Sequence, residues 1–425
     1  MFRLYSPLMA LATLVAGLSF LVGAPAPKAG TKTADWPQFR GPKRDNVSPD
    51  KNLLTVWPKG GPKLAWKSEG VGAGYSSVSV AGDKVYTMGD KNGASHVFAL
   101  DRATGKQLWA AKVGEAGGNV TGTRCTPTVD GMLVYGIGQF GDLVCLDTEK
   151  GEEKWRTSFP KNFDGKYMKD WGYAESPLVD GDRLVCTPGG TKATIVALDK
   201  LTGKEIWRSP AGDKAGYSSI VISNAAGVKQ YVQLTSGGTI GVAAKDGKLL
   251  WRYKETNSGV ANIPTPIVLG DQILTAVGYG RGAGLLTLSK GGDKGVTMKE
   301  DYFSPKLVNK HGGVLIVGDY AYGDTDDTGH PYCAEWKTGE IKWKRGREGK
   351  GEKSCAITYA DGHLYCRYEN GHIALVPVPA DSYKEVSSFE IVKRREASWS
   401  HPVVIGGRLY LREQNTLWCY DVSAK

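Results

Sequence analysis

Two sets of residues have types or spacing that could do chemistry. Asp324, Asp326 and Thr328, followed by Glu335, put oxygen atoms at positions 1, 3, 5 and 12 of a loop whose sixth residue is Gly329. That is the ligand spacing of a calcium loop. The competing reading is an acidic, solvated hairpin turn, because Glu335 falls in a stretch with strand character where a flanking EF-hand helix cannot form. The second set is dispersed: Tyr75, Arg124, Tyr173, Glu175, Tyr217, Asn262, His311, Lys353, Trp399 and His401. Brought together, their cationic heads and ring faces would suit an anionic, planar ligand through charge-assisted hydrogen bonds and stacking. His311 and His401 could also share a metal. The plainer expectation is a wet funnel mouth that tolerates polar side chains, since chain order alone does not gather them.

What would gather them is a repeat. An apolar strand, a Gly turn and a second strand recur as VAGDKVY (80–86), VDGMLVY (129–135), VDGDRLV (179–185), VLGDQIL (268–274), VGDYAY (317–322), ADGHLY (360–365) and IGGRLY (405–410), with a longer version around Gly227. The turn glycines at 82, 131, 181, 227, 270, 318, 362 and 406 lie 43 to 50 residues apart. Alternating β-branched and aromatic runs joined by Gly-Asp or Asp-Gly mark hairpins. A second element of constant length follows in five copies: ALDRATGKQLW (99–109), CLDTEKGEEKW (145–155), ALDKLTGKEIW (197–207), GVAAKDGKLLW (241–251) and CAEWKTGEIKW (333–343). Four strands per unit of about 45 residues is the size of a propeller blade.

The last copy ends without its turn and fourth strand, and Leu64-Ala65-Trp66 matches the missing ending. The expected fold is therefore all-β, an eight-bladed β-propeller of four-stranded antiparallel blades closed by an N-terminal strand on the C-terminal blade, which removes open sheet edges. Seven blades would result if one degenerate copy were a loop. Residues 61–425 form the propeller, 30–60 an extended segment before it, and 1–29 an export signal with Arg3 in its charged region and Leu8–Val22 as its apolar stretch. Trp66, Trp109, Trp155, Trp207, Trp251 and Trp343 are read as structural, each indole buried between neighbouring blades.

The pattern A-x-D-x-x-T-G-K-x-x-W, met at every fixed position by 99–109 and 197–207, resembles the tryptophan-docking motif of the pyrroloquinoline quinone (PQQ) propeller superfamily. Within it the chain is similar to the compact PQQ-like repeat proteins that include the outer-membrane assembly lipoprotein BamB. Asp35-Trp36-Pro37-Gln38-Phe39-Arg40-Gly41-Pro42 is similar to the opening of many secreted bacterial members. The resemblance implies an exported, monomeric, non-catalytic module that binds an extracytoplasmic protein or peptide, or a small ligand in the channel, and needs no cofactor.

The same superfamily also implies an alternative, a dehydrogenase holding PQQ and Ca²⁺ at the ring's centre. Against it, the sequence has no adjacent Cys pair, and Gly189-Gly190-Thr191-Lys192 stands where those enzymes carry a calcium-binding Glu. No Cys-x-x-Cys-His, His-Glu-x-x-His, Gly-x-Ser-x-Gly or Walker pattern occurs.

Other properties exclude more than they assign. A net charge of +10, from 54 basic and 44 acidic residues, is spread along the chain, and no basic stripe interleaves with aromatics as nucleic-acid grooves require. No segment reaches the roughly 20 apolar residues a membrane span needs. The Gly-rich run Gly278–Gly284 sits inside a β repeat, not between a strand and a helix, and reads as a flexible hairpin. Of the seven Cys, Cys355 and Cys366 flank one hairpin but would sit diagonally, about 7–8 Å apart, which disfavours a disulfide.

Overall fold

The computed structural model describes residues 1–2, 34–169, 171–293, 295–346, 350–379, 381–391 and 398–424. The expected export signal, apart from its first two residues, lies outside them, as does 30–33 of the extended segment. Among the described residues no helix is long and apolar enough to cross a membrane.

Among the described residues thirty-two strands form eight separate four-stranded antiparallel sheets, the blades of an eight-bladed β-propeller. Blade 1 comprises Ser79–Ala81, Lys84–Lys91, Ala94–Asp101 and Gln107–Glu115. The first strand is three residues long in seven blades and six in blade 7, and it touches the first strand of the next blade in most of the ring, so these strands are innermost. The two degenerate copies are complete blades, which settles the count at eight. Blade 8 takes Val403–Ile405, Arg408–Glu413 and Thr416–Asp421 from the C-terminus, and its outermost strand, Lys63–Glu69, from the N-terminus. Leu64 pairs with Tyr420 and Trp66 with Cys419.

A ring of docked aromatics holds neighbouring blades together. The indole N–H groups of Trp66, Trp109, Trp155 and Trp207 donate to the carbonyls of Arg102, Thr148, Lys200 and Ala244 at 3.0–3.2 Å. These acceptors occupy the fourth position of the next blade's docking element. Each ring covers a turn glycine of that blade, Gly105, Gly151, Gly203 and Gly247, where φ lies between +71° and +73° and a Cβ would enter the indole. Glycine is required there twice over, for space and for backbone.

The copies that lack Trp keep the device. Tyr302 pairs with Leu285 as Trp109 pairs with Ala99, covers Gly339, and donates its hydroxyl to the Trp336 carbonyl at 2.7 Å. Phe389 covers Gly61, the turn that precedes the closing strand. Trp251 departs from the rule by donating to the Gln230 side chain at 2.6 Å. Tyr302→Phe removes one partly buried hydrogen bond but leaves the packing, so a loss of about 1 kcal/mol in denaturant unfolding is expected. An unchanged midpoint would show that the ring alone does the docking.

Residues 34–60 are not a free lead-in. Trp36 is fully buried and pairs with Val80 on the inner strand of blade 1. The Pro37 carbonyl accepts from Val129 N in blade 2, and Asn46 and Ser48 bond to Tyr359 in blade 7. Arg44 donates to the carbonyls of Ser176 and Ile220 at 3.1 and 3.0 Å, and also to that of Pro177. Arg40 reaches the Val314 carbonyl of blade 6. With Leu54 N donating to the Val422 carbonyl of blade 8, the segment ties itself to seven blades. Gly41 makes its turn with φ +83° directly against the Trp36 ring.

All seven Cys are buried and unpaired. Cys366 faces Ile357, and Cys355 faces Tyr368, the diagonal relation the turn dictates.

Candidate functional site

The polar and aromatic residues that precede the inner strands converge on one cavity of about 280 Å³. Among the described residues, seven blades contribute and blade 7 does not. Phe39 and Arg40 line it as well. Since their segment pairs with the inner strands beyond the other lining residues, these two form the cavity's inner end, and the channel is a blind funnel. The remaining wall includes Tyr75, Arg124, Trp171, Tyr217, Ile263, Tyr279, Lys310, His311, Trp399 and His401. Among the described residues no carboxylate lines it.

Stacking fixes the geometry of one wall. Trp399 lies 4.4 Å from Tyr75 and 4.4 Å from His311, centroid to centroid. Its indole N–H donates to Glu369 at 3.0 Å, which sets the ring's orientation. The Arg124 guanidinium sits 5.6 Å over Tyr75, and Lys310 4.5 Å over Tyr279. Burial pushes His311 down to about 3, with Lys310 adding to the shift, so its ring is neutral at pH 7. His401 is likewise held near 3 by burial and by Arg40. Its Nε2 faces the His311 carbonyl at 3.0 Å and therefore carries the proton, leaving Nδ1 to accept from Asn46 at 2.9 Å. With both nitrogens engaged, His401 is neither a free base nor a metal ligand.

Of the ten dispersed residues picked from sequence, Tyr75, Arg124, Tyr217, His311, Trp399 and His401 line the cavity. Four do not. Tyr173 is buried and donates to the Pro188 carbonyl at 2.8 Å. Asn262 is buried and ties Thr235 to the 257–258 turn. Lys353 is exposed, in a left-handed conformation with φ +61°. Glu175 faces inward between blades, accepting from Thr187 N at 2.7 Å and from the Thr187 hydroxyl at 2.9 Å. One residue's shift in position along an inner segment exchanges channel for core, which sequence alone did not resolve.

The cavity in turn holds residues that sequence reading passed over. Trp171 follows a fourth strand with no periodic signal. Tyr279 sits in the Gly-rich run, with φ +58°, where a non-glycine in that conformation is the one cue available. Phe39 and Arg40 lay in a segment read as leading up to the propeller.

Burial pushes Glu175 up to about 8, against the Thr187 hydrogen bonds and Arg44. Since the folded value exceeds the unfolded one near 4.3, its contribution is fully present below pH 4 and is lost as pH rises toward 8. Glu175→Gln removes this loss, although the new amide faces one donor and offsets part of the gain. The variant is expected to gain about 1–2 kcal/mol on the wild type between pH 5 and 8. Parallel pH profiles of the melting temperature would contradict this.

The calcium loop does not assemble. Thr325 pairs with His330 and Tyr320 with Glu335, which sets Glu335 five residues down the strand from the turn, roughly 16 Å at the usual rise. Asp324 instead turns inward, accepting from Asn309 at 2.7 Å, Cys355 N at 2.9 Å and Ser354 at 3.0 Å. Burial holds it up near 7. Asp326 accepts from Gly280 N, and the Thr328 hydroxyl bonds Thr325. Among the described residues no group of three or more His, Cys, Asp or Glu could hold a metal.

A family model described as outer membrane protein assembly factor BamB matches residues 47–135 and 93–345. The chain belongs to this BamB-type family of PQQ-like repeats. The BamB of Kangiella koreensis is 26% identical over 217 residues, 48% of this chain and 49% of that protein. The match therefore spans about half the length of that relative. The BamB of Burkholderia pseudomallei is 26% identical over 300 residues, 60% of this chain and 73% of that one. Among solved structures, the quinohemoprotein alcohol dehydrogenase from Comamonas testosteroni superposes with a TM-score of 0.63 at 14% identity, covering 93% of this chain and 81% of that one. The computationally designed Ika8 protein gives 0.58 at 10% identity, covering 85% and 100%. At such identities the likeness is one of fold.

Proposed function

We propose that the chain is an exported, non-catalytic propeller that binds a partner protein, a peptide or a small ligand at the open end of its channel. The observation that carries this reading is the cavity itself: rings and cations converge on it, and none of its described lining residues is a carboxylate. His401 has both ring nitrogens hydrogen-bonded and is held in a single tautomer, and the His311 Nδ1 is buried. A dehydrogenase base would need a proton acceptor free to face a substrate.

The calcium-bound quinone of the related dehydrogenases does not fit these residues. Ca²⁺ sites use carboxylates among their oxygen ligands, and none of the described residues lining the cavity carries one, its side-chain oxygens being hydroxyls such as those of Ser77, Thr126 and Ser176. The family's named members, assembly factors for outer membrane proteins, support an extracytoplasmic protein partner. An absorbance titration with PQQ, with and without Ca²⁺, tests the reading. No Ca²⁺-dependent binding is expected, and saturable binding that requires Ca²⁺ would overturn it.

A further inference from the structure

Arg40 and Arg124 are two cavity-lining guanidiniums with no ion pair to a carboxylate among the described residues. Arg40 is 2% exposed. Its Nε donates to the Arg44 carbonyl, and its Nη2 to those of Asp45 and Val314. Among the described residues Nη1 has no hydrogen bond, and no carboxylate lies within 4 Å of the group. Arg124 spends Nη1 on Gly122 and Gln139 and Nη2 on Val120, again without an ion pair among the described residues. Arginine stays charged at neutral pH, and carbonyl dipoles repay only part of the cost of burying it. Burial draws Arg40 down to about 10, and it lowers Arg124 as well. Asp45 acts on Arg40 and Asp90 on Arg124 only from beyond ion-pair distance, so neither guanidinium has a directly bonded anion among the described residues.

We infer that the cavity takes a carboxylate carried on a flat apolar body, its oxygens directed at Arg40 at the inner end and at Arg124 in the wall, with no metal between them. The unspent Arg40 Nη1 and Arg124 Nε offer charged N–H donors to carboxylate oxygens, and the surrounding wall of Tyr75, Trp171, Tyr217 and Ile263 matches an aromatic or apolar body. The blind end decides how the ligand sits. A channel closed by the 34–48 segment admits the end of a chain or a whole small molecule, and not the middle of a polypeptide. The shared chemistry is thus a terminal carboxylate, from a free aromatic acid or from a polypeptide C-terminus. The inference rests on the binding-module reading. Quinone-dependent turnover would remove that reading alone, and equal binding of acid and amide would remove this inference alone.

The experiment uses the intact chain and calorimetry with four probes: 3-phenylpropionate, its amide, the tripeptide Ala-Ala-Phe and the C-terminal amide of that peptide. Each acid is expected to bind at least about tenfold more tightly than its amide, the difference charge-assisted hydrogen bonds make. A tighter tripeptide identifies a polypeptide end as the source; a tighter 3-phenylpropionate identifies a free acid. Arg124→Met should weaken the acids about tenfold and leave the amides unchanged, and Arg40→Met should do the same where it folds. Acid and amide binding equally, or no acid binding up to roughly 10 mM, would overturn the inference. So would an Arg124→Met variant with unchanged affinity.

Discussion

Trp207→Ala is expected to lower stability by about 3–5 kcal/mol, the range for removing a large buried ring. Trp207 is 8% exposed at the seam between blades 3 and 4, with its ring over Gly247 and 6.0 Å from Tyr231. The cost is mainly the cavity left in that seam. The Ala244 carbonyl that accepts its N–H also accepts from Arg183, so it is not orphaned. Trp207→Phe keeps most of the packing and should lose well under half as much. The reciprocal change, Gly247→Ala, places a Cβ 2.5 Å from the indole at φ +73°, and so strains the same contact from the other side. Urea unfolding of the three variants checks the set. A Trp207→Ala midpoint equal to that of the wild type would show that the docked ring is not a source of stability.

The second large effect is electrostatic. Arg367 is fully buried and Glu413 is 2% exposed, and the two meet at 2.6 Å. Arg367 also holds the Ser400 carbonyl at 2.7 Å, and Ser398 donates to Glu413. The pair therefore braces both neighbours of Trp399. Arg367→Met leaves a buried carboxylate without its partner and should cost about 3–5 kcal/mol. Arg367→Met/Glu413→Met removes both charges and should recover most of that loss, a coupling that a double-mutant cycle measures. The single variant should also shift Trp399 emission. A double variant no more stable than the single one would contradict the assignment.

The architecture was largely written in local pattern. Hairpin turns, five identical-length docking elements and the truncated final copy led to eight blades and to the N-terminal closing strand, because each depends on short-range spacing. Tyr302 and Phe389 were not recognised as docking residues, since a docked ring is defined by the glycine it covers in the following blade. The site was legible in part. Tyr75, Arg124, Tyr217, His311, Trp399 and His401 could be placed by their position before an inner strand. Glu175 and Asn262 share that position but turn inward between blades. Phe39 and Arg40 required knowing that residues 34–48 fold back across the channel, a contact between segments hundreds of residues apart, as Arg40 with Val314 shows.

Whether the channel binds without catalysing is decided by turnover. The purified protein, incubated with PQQ and Ca²⁺, is assayed for dye-linked oxidation of alcohols. The rate should equal that of PQQ, Ca²⁺ and dye without protein. Saturable turnover above that blank, reduced by Arg124→Met, would establish an oxidoreductase and contradict the binding-module assignment.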